Sequence, residues 1–188
     1  MDTVVHTLDS APEDAKPLLE KSMKAFGRLP SLHAVMAESP ALLENYQNLH
    51  AAAINGTAFT PEERTVVWMT VNVYHACHYC VPAHTGIAKM EKIDDAIIDA
   101  LRDETLLPDA KLEALRTFTL AVLETRGRPS AEEVAAFEAA GYGRRAVLDI
   151  VAIIAQKVMS NYTNSLFDTP TDKAFEKFHW TPKAERAA

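Results

Sequence analysis

The chain has two cysteines, Cys77 and Cys80, in the segment His75-Ala-Cys-His-Tyr-Cys-Val-Pro-Ala-His84. Two thiols three positions apart cannot staple distant parts of a fold. In a reducing compartment such a pair serves catalysis or metal binding more often than architecture. Pro82 indicates where the local helix must begin. In a helix interior it would lose a hydrogen bond and clash with the carbonyl of His78, so it belongs in a first turn. The helix is therefore predicted to start between Cys77 and Val81, with Cys80 at its positive end, where thiolate is favoured over thiol. His84 lies four residues on, one turn along the same face, and a base beside a thiol is the arrangement of an activated nucleophile. Cys77, one turn earlier, can resolve an oxidised Cys80 as a disulfide.

A tetrahedral zinc site is the rival reading, with His75 or His78 as fourth ligand to Cys77, Cys80 and His84. Structural zinc sites usually draw on two separated ligand pairs, and no second cysteine pair exists. A covalent c-type haem is disfavoured because Val81, not histidine, follows Cys80. No bound cofactor or metal is expected. Of the other histidines, His6 and His179 read as surface residues of the termini and His33 as structural. His50 reads as packed or solvated, though within reach of the site. Trp68 and Met69 read as core, and Arg144-Arg145 as a solvated helix start.

Helix signals run the length of the chain. Pro12 to Gly27 spaces Leu18, Leu19, Met23 and Phe26 helically and stops at glycine. Ser39-Pro40 reads as N-cap and first turn of a helix that ends near Gly56. Thr60-Pro61-Glu62-Glu63 is a capping box whose helix should reach about His75. Further helices are predicted from near Tyr79 to Met90, from Asp94 to about Arg102 and from Pro108 to Arg126. Ser130-Ala-Glu-Glu133 is a second capping box, ending near Gly141. Arg144 to about Leu166 reads as a core helix that is apolar nearly all round. A short helix around Ala174 to Phe178 and a frayed end complete an all-α reading. Gly86 departs from the other glycines: it sits inside the thiol helix, where small size permits close packing.

The 188 residues, 48% hydrophobic and 24% charged, make one ordinary domain. The natural division is an N-terminal helical arm (1–28), a core (29–168) and a C-terminal tail (169–188). A net charge of −7 and no dense basic cluster speak against nucleic-acid binding. No secretory leader is visible, and no stretch approaches the roughly 18 apolar residues of a membrane span. A cytoplasmic location is expected. The long helix and the alanines at 51 to 53 offer more apolar face than a modest domain covers, which predicts a homo-oligomer.

Thr60-Pro-Glu-Glu-Arg64, Val-Val-Trp-Met-Thr-Val-Asn-Val and Cys77-His-Tyr-Cys80-Val-Pro-Ala-His84 together resemble the core of the AhpD-like alkylhydroperoxidase and carboxymuconolactone decarboxylase superfamily. Ala114-Leu-Arg-Thr-Phe118, the helix stop at Gly141 and the long helix carrying Asn161 and Asn164 extend the resemblance over Leu29 to Phe167. It implies an AhpD-like all-helical fold, trimers or hexamers, and, for the cysteine-bearing branch, reduction of hydroperoxides at the expense of a dithiol or protein reductant. It implies that Cys80 is the peroxidatic thiol, Cys77 the resolving and more exposed one, and His84 the proton-relay histidine. The decarboxylase branch lacks this cysteine pair. The family's relay glutamate, twelve residues before the first cysteine, is replaced by Thr65, so Glu62 or His75 would have to take over. A redox sensor, a zinc-binding module and a carboxymuconolactone decarboxylase-like enzyme are the alternatives to a thiol peroxidase.

Overall fold

A computed structural model describes residues 2–186, and among them there is no strand. The helices are α1 (Lys16–Phe26), α2 (Ser31–Met36), α3 (Pro40–Asn55), α4 (Pro61–Tyr74), α5 (Cys80–Met90), α6 (Asp95–Asp103), α7 (Ala110–Glu124), α8 (Ala131–Ala139), α9 (Arg144–Phe167) and α10 (Lys183–Arg186). A 3-10 turn, Glu176–Phe178, precedes α10. Both predicted capping boxes form, on Thr60 with Glu63 and on Ser130 with Glu133. Gly27 closes α1 in the left-handed conformation. Ser39 precedes α3 as expected, but its side chain makes no cap bond.

Helix α4 lies at the centre and packs on α5, α6, α7 and α9, while α3 and α2 cover another part of α9. One apolar cluster joins Val66, Val67 and Met69 of α4 to α6, α7 and Ile150 and Ile153 of α9. A second gathers Leu19, Leu32, Met36, Leu43 and Tyr46 around Cys77 and Cys80, and takes in Ala11, Ala15 and Phe175. Residues from both ends of the chain thus join the cluster that holds the thiols. His6 is buried, with Nε2 2.7 Å from Glu38, which corrects its reading as a surface residue. His179 is exposed.

Helix α9 corrects a second expectation. Its buried face is apolar only in the first half. Further along it buries Gln156, Lys157, Ser160, Asn161, Thr163 and Asn164, while Leu148, Val151, Tyr162 and Leu166 are exposed. The tail is held down where Gly86 makes room for it. A Cβ at Gly86 would stand 2.5 Å from the Phe175 ring, so the close packing read from the sequence is present. Arg102 secures the tail further, donating to the carbonyls of Phe178 and His179 and accepting from Trp180 Nε1 through its own carbonyl.

Candidate active site

The turn between α4 and α5 sets the two sulfurs. Ala76 adopts the left-handed conformation (φ 49°), and the N–H groups of Ala76 and Cys77 return to the carbonyls of Val73 and Asn72. This is a Schellman closure with alanine where glycine is usual. Cys77 then begins the next helix: its carbonyl accepts from Val81 N–H, and its sulfur accepts from Cys80 N–H at 3.2 Å. Pro82 falls at the third residue of α5, where its missing N–H costs little.

Both cysteines are reduced and buried. Cys77 is fully enclosed, whereas Cys80 lines a cavity of about 410 Å³ together with His84, Trp68, His50, Tyr46 and Lys157. The resemblance had implied that Cys77 is the more exposed thiol; here Cys80 is the sulfur that meets the cavity.

Burial alone would push the Cys80 thiol up, but the Cys77 thiol, the Lys157 ammonium and the amides of Asn164 and Asn161 outweigh it and hold Cys80 at about 6. Asn164 Nδ2 stands 3.1 Å from Cys80 Sγ and 3.8 Å from Cys77 Sγ. Cys77 moves the other way. Burial and then its neighbour Cys80 raise it, so it keeps its proton and donates it to the Cys80 sulfur. The low value predicted for Cys80 is present, but its cause differs. The helix N-terminal N–H is spent on Cys77, and side chains from α9 stabilise Cys80.

His84 also has an unexpected partner. Its Nε2 lies 2.9 Å from Lys157 Nζ, so its hydrogen bond goes to the lysine rather than to the Cys80 sulfur. Burial, then the charge of Lys157, depress the imidazole well below its ordinary range, so the ring is neutral and Nε2 accepts from the ammonium. Lys157 is itself lowered by burial, with the two thiols pulling the other way. Of the possible relay carboxylates, Glu62 is exposed and Glu63 is occupied by its capping box and by Lys111. Thr65 is buried on α4. His75 reaches the site indirectly: its Nδ1 lies 2.9 Å from Asn161 Oδ1.

Sequence reasoning missed Lys157. Its signal was the ladder Gln156, Lys157, Ser160, Asn161 and Asn164, polar residues at helical spacing inside an otherwise apolar helix. His50 lines the cavity, stacked on Trp68 at 5.6 Å and on Tyr46 at 6.1 Å. For zinc, the ligands do not converge. Among the described residues no three His, Cys, Asp or Glu side chains are grouped to hold a metal, and His78 turns to Thr169 and Asp168.

The arrangement of α3 to α7 has known relatives. Residues 40–125 match the carboxymuconolactone decarboxylase family model. An alkylhydroperoxidase AhpD core structure, a peroxidase-related protein from Ralstonia eutropha JMP134, superposes with a TM-score of 0.79 at 20% identity, over 91% of this chain and 92% of that one. The chain has the AhpD-like all-α fold. A second structure, a peroxidase-related protein from Silicibacter sp. TM1040, gives a TM-score of 0.77 at 16% identity, over 93% of this chain and 95% of that one. The debrominase Bmp8 gives 0.76 at 20% identity, over 94% of this chain and 96% of that one. A cysteine-to-alanine variant of that debrominase has been solved with 2,3,4-tribromopyrrole. No curated protein matches the sequence. Within this fold, then, the chain places Cys80, a lysine and a neutral histidine on the wall of one aromatic cavity, with Cys77 enclosed behind Cys80. Among the described residues, no helix is long and apolar enough to cross a membrane.

Proposed function

We propose that the protein is a thiol-dependent reductase of organic hydroperoxides, with Cys80 as nucleophile and Cys77 as resolving thiol. One observation carries this reading: Cys80, held near 6 by Cys77, Lys157 and Asn164, is the sulfur that opens on the cavity. At neutral pH it is a thiolate already in place, with a protonated thiol beside it.

The Cys80 thiolate attacks the terminal oxygen of the hydroperoxide. An S–O bond forms, the O–O bond breaks, and the alkoxide takes a proton to leave as alcohol. Lys157, which faces the Cys80 thiolate and donates to His84, is the proton source, and His84 holds its ammonium in place. Cys77 then attacks the sulfur of the Cys80 sulfenic acid. Water leaves, and the pair becomes a disulfide. An external dithiol returns both cysteines to thiols and is itself oxidised. No bound cofactor enters the cycle, and a reducing compartment such as the cytoplasm would sustain it.

Steady-state consumption of cumene hydroperoxide with dithiothreitol as donor tests the proposal. Turnover is expected in the wild type and lost in Cys80→Ser. No consumption by a folded protein with both thiols reduced would exclude a peroxidase and leave the redox-sensor alternative. The superfamily also contains decarboxylases, but their chemistry needs no thiol pair, and turnover of a lactone acid by Cys77→Ser/Cys80→Ser would favour it.

A further inference from the structure

Size, wall chemistry and charge of the cavity go beyond what a small peroxide needs. A volume of about 410 Å³ lies in the range of organic-ligand sites. Hydrogen peroxide would leave most of it empty, since a benzene-sized cavity takes about 150 Å³. The walls are π-faces: Tyr46, His50 and Trp68 stack in sequence, and Trp68 meets His84 edge-on at 4.9 Å. His50 is lowered by burial to about 4, so its ring is neutral at physiological pH and serves as a flat apolar wall. Its Nδ1 is buried without a hydrogen-bond partner.

The charged groups of the cavity are committed, with one exception. Asp172 accepts from Tyr79 Oη at 2.7 Å and from the backbone and side chain of Ser31. Glu91 is held by Arg64 through two bonds of 3.0 and 3.1 Å. Lys157 is engaged by His84 and the thiols. Arg28 also lines the cavity, and among the described residues it makes no ion pair. Its guanidinium lies 4.7 Å from the centre of the Phe175 ring, and its Nε is buried without a partner. The chain as a whole carries −7, so a free cation here is a local feature and no general attraction for anions exists.

We propose that the cavity selects a compact aromatic or arylalkyl electrophile bearing a carboxylate, with Arg28 pairing the carboxylate and Cys80 meeting the reactive end. In the reading above that reactive end is a hydroperoxide, and the inference rests on Cys80 being the attacking sulfur. Aromatic faces bind the ring, and the planar guanidinium can grip a carboxylate through two parallel bonds.

Binding to the reduced protein tests this without turnover. The probes are cuminate, a carboxylate, and cuminyl alcohol, its neutral counterpart. Affinity is measured by calorimetry, and occupancy at Cys80 by protection from iodoacetamide. Cuminate is expected to bind about tenfold more tightly than the alcohol and to slow alkylation of Cys80. Arg28→Gln should erase the preference and leave binding of the alcohol unchanged, while Arg28→Lys retains part of it. Equal affinity for both probes, a preference that survives Arg28→Gln, or no protection of Cys80 would overturn the inference. Cuminate bound through Arg28 by a protein that reduces no hydroperoxide would uphold the inference and overturn the peroxidase reading instead.

Discussion

Lys157 is costly to keep. An ammonium shielded from water is stable there only because a thiolate and an imidazole nitrogen face it. Replacing it with methionine removes the charge at similar volume and lets Cys80 take up a proton rather than remain an unpaired anion. Lys157→Met is therefore expected to leave the melting temperature unchanged or raised, while the Cys80 pKa climbs from about 6 toward the ordinary thiol range. Iodoacetamide kinetics against pH would show this: half-maximal rate near pH 6 in the wild type, and a midpoint at least one unit higher in the variant. An unchanged midpoint would show that Lys157 does not hold the Cys80 thiol down. At this scale the sequence made the thiol pair and His84 visible because proline fixes where a helix can begin. It did not reveal their electrostatic partners. A lysine on a long helix ordinarily reads as solvated, and the thiolate that justifies burying it lies 77 positions earlier. Thr65 illustrates the same limit. The family pattern directs attention to α4 for a relay group, yet the partner of His84 comes from α9. Thr65→Glu is expected to bury a carboxylate, lower stability and give no gain in peroxide turnover; a clear gain would restore α4 as the source of the relay.

The elements that carry the site were legible because local rules decide them. Capping boxes at Thr60 and Ser130, the glycine stop at Gly27 and the start of α5 at Cys80 all follow from short-range hydrogen bonding and proline sterics. The turn at Ala76 was not legible, since alanine gives no sign of a positive φ. Its left-handed backbone carries a steric cost of roughly 1–2 kcal/mol that glycine avoids. Ala76→Gly is accordingly expected to stabilise the protein by up to about 1 kcal/mol in chemical denaturation without displacing the thiols; a loss of stability would show that the turn is not strained. Gly86 makes the opposite case. A methyl group there meets the Phe175 ring, so Gly86→Ala should cost about 1–3 kcal/mol. Adding Phe175→Ala should recover part of that loss, and strict additivity of the two would show that they do not touch.

For the molecule as a whole, burial of neutral histidines ties stability to pH. His33 and His50 are both lowered from 6.5 to about 4, chiefly by burial. Below pH 6.5 the unfolded chain protonates them while the folded one does not, so their contribution is complete above 6.5 and is lost as the pH falls toward 4. Each costs up to about 1.4 kcal/mol per pH unit across that window. Thermal melts should fall steadily from pH 6.5 to 4, less steeply in His50→Phe. The outer face of α9, with Leu148, Val151, Tyr162 and Leu166 exposed, is the surface we propose for self-association. Light scattering is expected to give an oligomeric mass that Val151→Glu reduces. The sequence could not place this stripe, because periodicity alone does not tell a helix face turned to the core from one turned to another copy. In the proposed cycle Cys80 is oxidised by a hydroperoxide and resolved by Cys77 within one chain. The most direct test is a single turnover. One equivalent of cumene hydroperoxide is added to the reduced protein, and protein mass and cumyl alcohol are measured together. One alcohol per chain and a mass loss of two hydrogens, located to a Cys77–Cys80 disulfide, are expected. Unchanged thiols, or chains joined only to one another, would contradict it.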